Sequence, residues 1–169
     1  HVRSRRQRQM CIRDSVTRKG YKAIAVPGTI AGLYKAHELY GSLPMETLLQ
    51  PTIDLLTAGV PMTQDLYHAI NIGKYISDDP ESHEIYKKNL APNSPLFIED
   101  LKQTFIKLQK FGQDVFYRGE IADQIEKEML KNDGLIRKSD LENYKVNMTQ
   151  PIKTTYRDKQ IFAMGAPSG

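Results

Sequence analysis

Apolar residues recur along most of the chain at a spacing near 3.6, and the period changes to two only close to the C-terminus. Tyr21 to Val26 is a short apolar stretch of strand type, stopped by Pro27-Gly28. Thr29 is placed to cap a helix running to Tyr40, with Ile30, Leu33, His37 and Tyr40 on one face and Gly41 closing it. A second helical turn covers Met45 to Leu49. Pro51 has no amide to continue that ladder and is expected in the first turn of a separate helix, Thr52 to Ala58, which ends at Gly59. Thr63 caps a further helix, Gln64 to Ile76, with Leu66, Ala69, Ile70 and Gly73 inward.

Residues 77–97 are irregular, broken by Asp79-Pro80, Ala91-Pro92 and Ser94-Pro95 around a short helix, Glu81 to Lys88. Two strongly periodic helices follow. Glu99 to Phe111 places Leu101, Phe105 and Leu108 on one stripe, and Gly112 ends it. Glu120 to Lys131 turns Ile121, Ala122, Ile125 and Met129 inward and stops at Asn132-Asp133-Gly134. Ser139-Asp140-Leu141-Glu142 has a capping-box pattern for a short helix to Tyr144. Ile152, Thr154 and Tyr156 then alternate with Lys153 and Thr155, Arg157-Asp158-Lys159 turns, and Ile161 to Met164 returns, which reads as a hairpin. Two strands are marginal by themselves and need a larger sheet to join. The pattern therefore predicts an α+β arrangement, a mostly helical block with a C-terminal β-hairpin.

The chain has 169 residues, of which 40% are hydrophobic and 26% charged, enough apolar content for one packed core and too much for disorder. No run approaches the roughly 18 apolar residues of a membrane span. One cysteine, Cys11, excludes a disulfide scaffold or a multi-cysteine zinc module. The net charge of +4 suggests an anionic partner until it is located. Residues 1–15 hold five arginines (Arg3, Arg5, Arg6, Arg8 and Arg13) against Asp14. Subtracting them from 24 basic and 20 acidic groups leaves nineteen of each in residues 16–169. The body of the protein is electrically balanced. The stretch RQRQMCIRDS resembles a translated sequencing-adapter read-through, so residues 1–15 are read as a non-native or disordered basic segment, with a functional basic arm as the competing reading. Residues 16–169 are treated as one unit.

Local chemistry is sparse. His37, His68 and His83 stand at unrelated spacings with no metal-ligand pattern, and His37 is expected to pack on its helix face. The carboxylate pairs Asp78-Asp79, Glu99-Asp100 and Asp123 with Glu126 fall in loops, first turns or solvated faces, whereas acid–base work needs one desolvated carboxylate. Gly28-Thr29-Ile30-Ala31-Gly32 stands where a phosphate loop would, but lacks the third glycine and the lysine; a tight turn with close packing at Gly32 is the expected role. Phe105, Phe111, Phe116 and Tyr117 lack an interleaved basic patch and read as core. Thr154-Thr155 sits mid-strand with no amine or histidine nearby. No catalytic, substrate-binding or metal-ligating residue is assigned.

A set of stretches, in order, resembles the large subunit of the gamma-glutamyltranspeptidases. They are Ala25-Val26-Pro27-Gly28-Thr29-Ile30-Ala31-Gly32-Leu33, Leu48-Leu49-Gln50-Pro51-Thr52-Ile53-Asp54-Leu55, Gly59-Val60-Pro61-Met62, Phe116-Tyr117-Arg118-Gly119-Glu120-Ile121-Ala122, Asp133-Gly134-Leu135-Ile136 with Asp140-Leu141-Glu142-Asn143-Tyr144, Gln150-Pro151-Ile152 with Tyr156-Arg157, and Met164-Gly165-Ala166-Pro167-Ser168-Gly169. The resemblance implies an N-terminal-nucleophile hydrolase of αββα layering, made as a proenzyme that cleaves itself into two subunits. It implies glutathione and other gamma-glutamyl compounds as substrates, a small subunit as partner, no metal or organic cofactor, and a periplasmic or secreted location. The family's nucleophilic threonine, in a Thr-Thr-His type junction, has no counterpart here, since Thr154-Thr155-Tyr156 does not match it. Its substrate-carboxylate arginine, in an Asp-x-Arg-Glu motif upstream of the Pro27-Gly28-Thr29 stretch, has none either, since Arg13-Asp14 does not match. Where the family has Tyr-Arg-Gly this chain has Tyr156-Arg157-Asp158, a change confined to turn geometry. The chain is expected to be an internal large-subunit segment, inactive alone and without a nucleic-acid partner. The alternative is a non-catalytic helical module that binds nucleic acid through its Arg-rich arm.

Overall fold

The computed structural model describes residues 20–73, 76, 79–87 and 91–165. A 3-10 turn, Tyr21–Ala23, leads into α1 (Thr29–Tyr40) and α2 (Met45–Ala58). Then come β1 (Val60–Pro61), α3 (Gln64–Ile72), α4 (Pro80–Tyr86), β2 (Pro95–Leu96) and α5 (Glu99–Phe111). The described chain closes with α6 (Asp114–Tyr117), α7 (Glu120–Lys131), α8 (Lys138–Glu142), β3 (Ile152–Tyr156) and β4 (Lys159–Ala163). The α+β expectation stands. Helices dominate, and two separate antiparallel strand pairs, β1–β2 and β3–β4, accompany them.

Two buried regions organise the helices. The main core gathers Ala31 of α1, Tyr117 of α6, Ala122 and Met129 of α7, Ile136, and Leu141 of α8, with Tyr21, Val26, Phe116 and Val146 packed around it. Leu141 and Ala122 are wholly inaccessible, as the 3.6 spacing of α7 anticipated for Ala122. The other region lies where α2 packs along α5, whose buried residues are Ile53 and Leu56 on one helix and Leu108 on the other. Leu101 and Phe111, at the two ends of α5, are exposed, so the apolar stripe of that helix is covered only at its centre.

Several elements differ from the sequence pattern. Tyr21–Val26 is not a strand: among the described residues no neighbouring strand pairs with it, and Tyr21 and Val26 pack on the core instead. Met45–Ala58 is one continuous helix with Pro51 inside it. The missing Pro51 amide leaves the Thr47 carbonyl without its helical donor. Gln109 of α5 braces this part of α2, donating to the Glu46 carbonyl and to the Gln50 side chain, both at 2.9 Å. Tertiary support thus overrides the local penalty. Helix α3 ends at Ile72, capped at its start by Thr63 Oγ1 as expected, and α4 is capped by the Asp79 carboxylate, which accepts from the Ser82 amide at 2.8 Å. Hydrogen bonding from the Ser82 hydroxyl and, second, from its amide holds the Asp79 carboxyl below its ordinary range. At α8 the cap lies two residues earlier than Ser139: Asp140 accepts from the Arg137 amide at 2.8 Å.

The β1–β2 ladder, pairing Val60 with Leu96 and Pro61 with Pro95, needs Gly59 at φ 91°, where a Cβ would press on Pro95 and Phe97. The hairpin β3–β4 matches the alternation, with Ile152 opposite Ala163 and Thr154 opposite Ile161. Its two-residue loop, Arg157-Asp158, has both residues at positive φ (47° and 61°), the geometry of a primed hairpin turn. Every residue of both strands is exposed.

Candidate functional site

The helical core converges on the turn that enters α1. Val26-Pro27 leads into the turn, Gly28 stands at the N-cap position, and Thr29 is the first residue inside the helix rather than its cap. Gly28 has no side chain to cap the helix, and no side-chain cap bond forms there. The Tyr117 hydroxyl serves the helix start from across the core: the Ala31 amide donates to it at 3.0 Å, and the hydroxyl donates to the Pro27 carbonyl at 2.7 Å. One phenol therefore replaces an N-cap side chain and ties the incoming chain to the helix it starts. Tyr117 is 5% exposed, stacks on Tyr144 with centroids 5.9 Å apart, and meets Phe116 edge-on at 5.0 Å. Burial pushes its phenol above the ordinary 10.0, partly opposed by the Ala31 hydrogen bond. A Cβ on Gly28 would run into the Tyr144 hydroxyl, so a larger residue there would displace the Tyr144 ring from its close approach.

This arrangement corrects one expectation, the close packing at Gly32, and agrees with the reading of the turn as something other than a phosphate loop. The close approach belongs to Gly28, while a Cβ at Gly32 would meet nothing within 4 Å. The α1 start is unsuited to a phosphate, because its Ala31 amide is already engaged by Tyr117.

The remaining candidates fall where bland roles explain them. His37 does not simply pack on its helix face: its Nε2 lies 2.6 Å from the Leu43 carbonyl and bridges the α1–α2 connection. His68 and His83 are exposed, and no group of three potential metal ligands occurs among the described residues. Asp123 pairs with Lys138 at 2.6 Å, raising the lysine's affinity for its proton, and Glu126 accepts from the Lys138 amide at 2.9 Å. Glu99 pairs with Lys102 at 2.6 Å. Asp78 lies outside the described residues. No charged or polar side chain is buried among the described residues, so none has the desolvated setting of a catalytic acid. Thr154 and Thr155 lie on opposite faces of β3, both exposed. Of the aromatic set, Tyr117 is buried and Phe105 and Phe116 half-buried, but Phe111 is exposed. Residues 1–15 and the final Ala166-Pro167-Ser168-Gly169 also lie outside the described residues.

The geometry defines an α+β protein with a helical core that holds one turn and no assembled reaction centre among the described residues. Comparison with known proteins gives its family. The gamma-glutamyltranspeptidase family model matches residues 4–169, and the chain belongs to that family. It is 35% identical over 153 residues to the glutathione hydrolase proenzyme of Escherichia coli (strain K12), covering 86% of this chain and 26% of that protein. It is 32% identical over 165 residues to the acylase ACY 1 proenzyme of Pseudomonas sp. (strain SE83), covering 95% and 30%. The structure superposes on Helicobacter pylori gamma-glutamyltranspeptidase with a TM-score of 0.85 at 30% identity, covering 90% of this chain and 45% of that one. The chain spans about a quarter of the length of the curated relatives it matches. Nothing in these relatives supports a nucleic-acid-binding module. No described helix is long and apolar enough to cross a membrane.

Proposed function

We propose that this chain is the helical part of the large subunit of a gamma-glutamyltranspeptidase, and that the complete protein hydrolyses or transfers the gamma-glutamyl group of glutathione. The observation that carries the reading is the family match over residues 4–169, which takes in the whole core around Tyr117. In the proposed reaction a threonine freed at the start of a small subunit, outside this chain, attacks the gamma-glutamyl amide carbonyl. Its own α-amine takes the hydroxyl proton and delivers it to the leaving amine. An acyl ester remains, which water or an amino acid or peptide acceptor then releases. No metal or organic cofactor enters this scheme. The chain alone has no part of that machinery and is inactive; the complete protein is exported to the periplasm or medium.

The uncovered β3–β4 hairpin fits this reading, because a pair of strands needs a wider sheet, which the αββα layering would supply. The test is the coding sequence downstream of Gly169 and the protein it specifies. We expect a Thr-Thr-His or Thr-Ser-His junction followed by β-rich sequence, and a product that appears as two subunits with that threonine at the start of the smaller. A downstream sequence lacking such a junction overturns the reading.

A further inference from the structure

Asn147-Met148-Thr149 is the one place in the chain where an asparagine is followed, two residues on, by a hydroxyl residue with no proline between. Of the five other asparagines Asn93 comes nearest, but its serine is the next residue and Pro95 takes the third place. Such a triplet means something only where the chain around it is open. The structure meets that condition. The triplet lies in the connection between α8 and β3, outside any helix or strand, and all three residues are exposed, Met148 at 60%. Val146, immediately before it, packs on the helical core and ties the connection to the body of the protein.

The asparagines also differ in what their amides do. Asn71, Asn132 and Asn143 each donate to a carbonyl four residues back, those of Tyr67, Glu128 and Ser139, at 3.1, 2.9 and 2.8 Å. The Asn147 amide makes no hydrogen bond among the described residues, and neither do the backbone groups of residues 145–151. A segment with no internal bonds to break can bend into the cleft of a modifying enzyme, and here it offers a free amide nitrogen.

We infer that Asn147 is an acceptor for an N-linked oligosaccharide, with Thr149 supplying the hydroxyl that an oligosaccharyltransferase grips beside the amide. The inference rests on the reading that the complete protein is exported, because the transferase acts on exported chains. Its donor is an oligosaccharide carried on a lipid pyrophosphate. Nδ2 of Asn147 attacks the first sugar carbon, a C–N bond forms, and the bond from that carbon to the pyrophosphate breaks. The pyrophosphate leaves with the electron pair and one amide proton is released, so no oxidant or reductant enters. A glycan there is a bulky, solvating cover beside Met148, and it requires the α8–β3 connection to lie at the surface of the complete protein.

The test is translation of the complete proenzyme, behind a cleavable secretory leader, into microsomal vesicles that hold the transferase and its lipid-linked donor. We expect a mobility step that peptide-N-glycosidase removes, with Asn147 then found as aspartate by peptide mass mapping. Thr149→Ala should lose that modification and Thr149→Ser should keep it. Unmodified Asn147 in protein sequestered inside the vesicles overturns the inference. Equal modification of Asn147 in the two Thr149 variants overturns it as well, because the triplet is then not what the transferase reads. Export is scored separately, by fractionating cells that make the complete protein from its own start. Export in cells with Asn147 bare in the vesicles overturns the acceptor site alone. Modification in the vesicles with retention in the cytosol of cells overturns export alone.

Discussion

The core around Tyr117 and the β3–β4 hairpin are both regular structure, yet they stand on different footings. In the core, Leu141 and Ala122 are fully buried and the Tyr117 hydroxyl has both a donor and an acceptor partner. In the hairpin the ladder is complete over five residue pairs and no residue is buried. A complete ladder does not make a stable element, because the net gain per hydrogen bond in water is small and apolar burial supplies most of the driving force. The core buries its apolar side chains within the described residues. The hairpin depends on cover that the described residues do not provide.

Substitutions in the two regions should therefore separate by size. Leu141→Ala, at the most buried point of α8, should destabilise the chain by about 2–5 kcal/mol in urea unfolding. A cost below about 1 kcal/mol would show that this core is loosely packed. Tyr117→Phe removes one hydroxyl that serves a buried and a half-buried backbone group and should cost about 1–3 kcal/mol. The same variant sharpens the comparison through pH. The folded-state Tyr117 pKa is raised, so its contribution is fully present below the unfolded value of 10.0 and is lost as pH rises through the folded pKa. The unfolding free energy of the wild-type chain should accordingly fall above about pH 10, and less steeply in Tyr117→Phe, as urea titrations at several pH values would report.

Asp140→Ala should cost about 0.5–1 kcal/mol by releasing the Arg137 amide at the start of α8, read by the same unfolding assay. In the hairpin, Ile161→Ala should change the stability of the 169-residue chain by less than about 0.5 kcal/mol, since Ile161 is already exposed. A large effect there would break the contrast between the regions. Asp158→Gly should be the mildest, a gain of a few tenths of a kcal/mol in hairpin stability seen as slower amide exchange in β3 and β4. Asp158 holds φ 61°, which glycine adopts without strain.

Much of this was legible in the sequence wherever one periodicity governed a long stretch. Helices α5 and α7 begin and end where their apolar spacing and glycine or Asn-Asp-Gly stops placed them. The hairpin was legible from five alternating residues and a short turn. What stayed hidden depends on partners distant in sequence. The cap of α1 comes from Tyr117, 86 residues beyond the amide it serves, so local pattern pointed to Thr29 instead. The helix through Pro51 is braced by Gln109, 59 residues beyond Gln50. The β1–β2 ladder spans two pairs and includes Pro61 and Pro95, residues that argue against a strand when read locally. Spacing groups Leu33 and Tyr40 with Ile30 on one face of α1, yet both are exposed, which spacing alone does not reveal.

The candidate site shows the same division. Pro27-Gly28-Thr29 and Phe116-Tyr117-Arg118-Gly119 were both quoted as family motifs, but nothing in their spacing says that one caps the other. Their contact explains why a turn and a tyrosine so far apart belong to a single structural unit.

On the proposed reading, this chain shapes a gamma-glutamyltranspeptidase without carrying its chemistry. Release of the anilide from a gamma-glutamyl anilide, measured side by side for the 169-residue chain and the complete proenzyme, tests it most directly. Turnover by the self-cleaved complete protein and none above background from the chain alone are expected. Turnover by the 169-residue chain would contradict that reading.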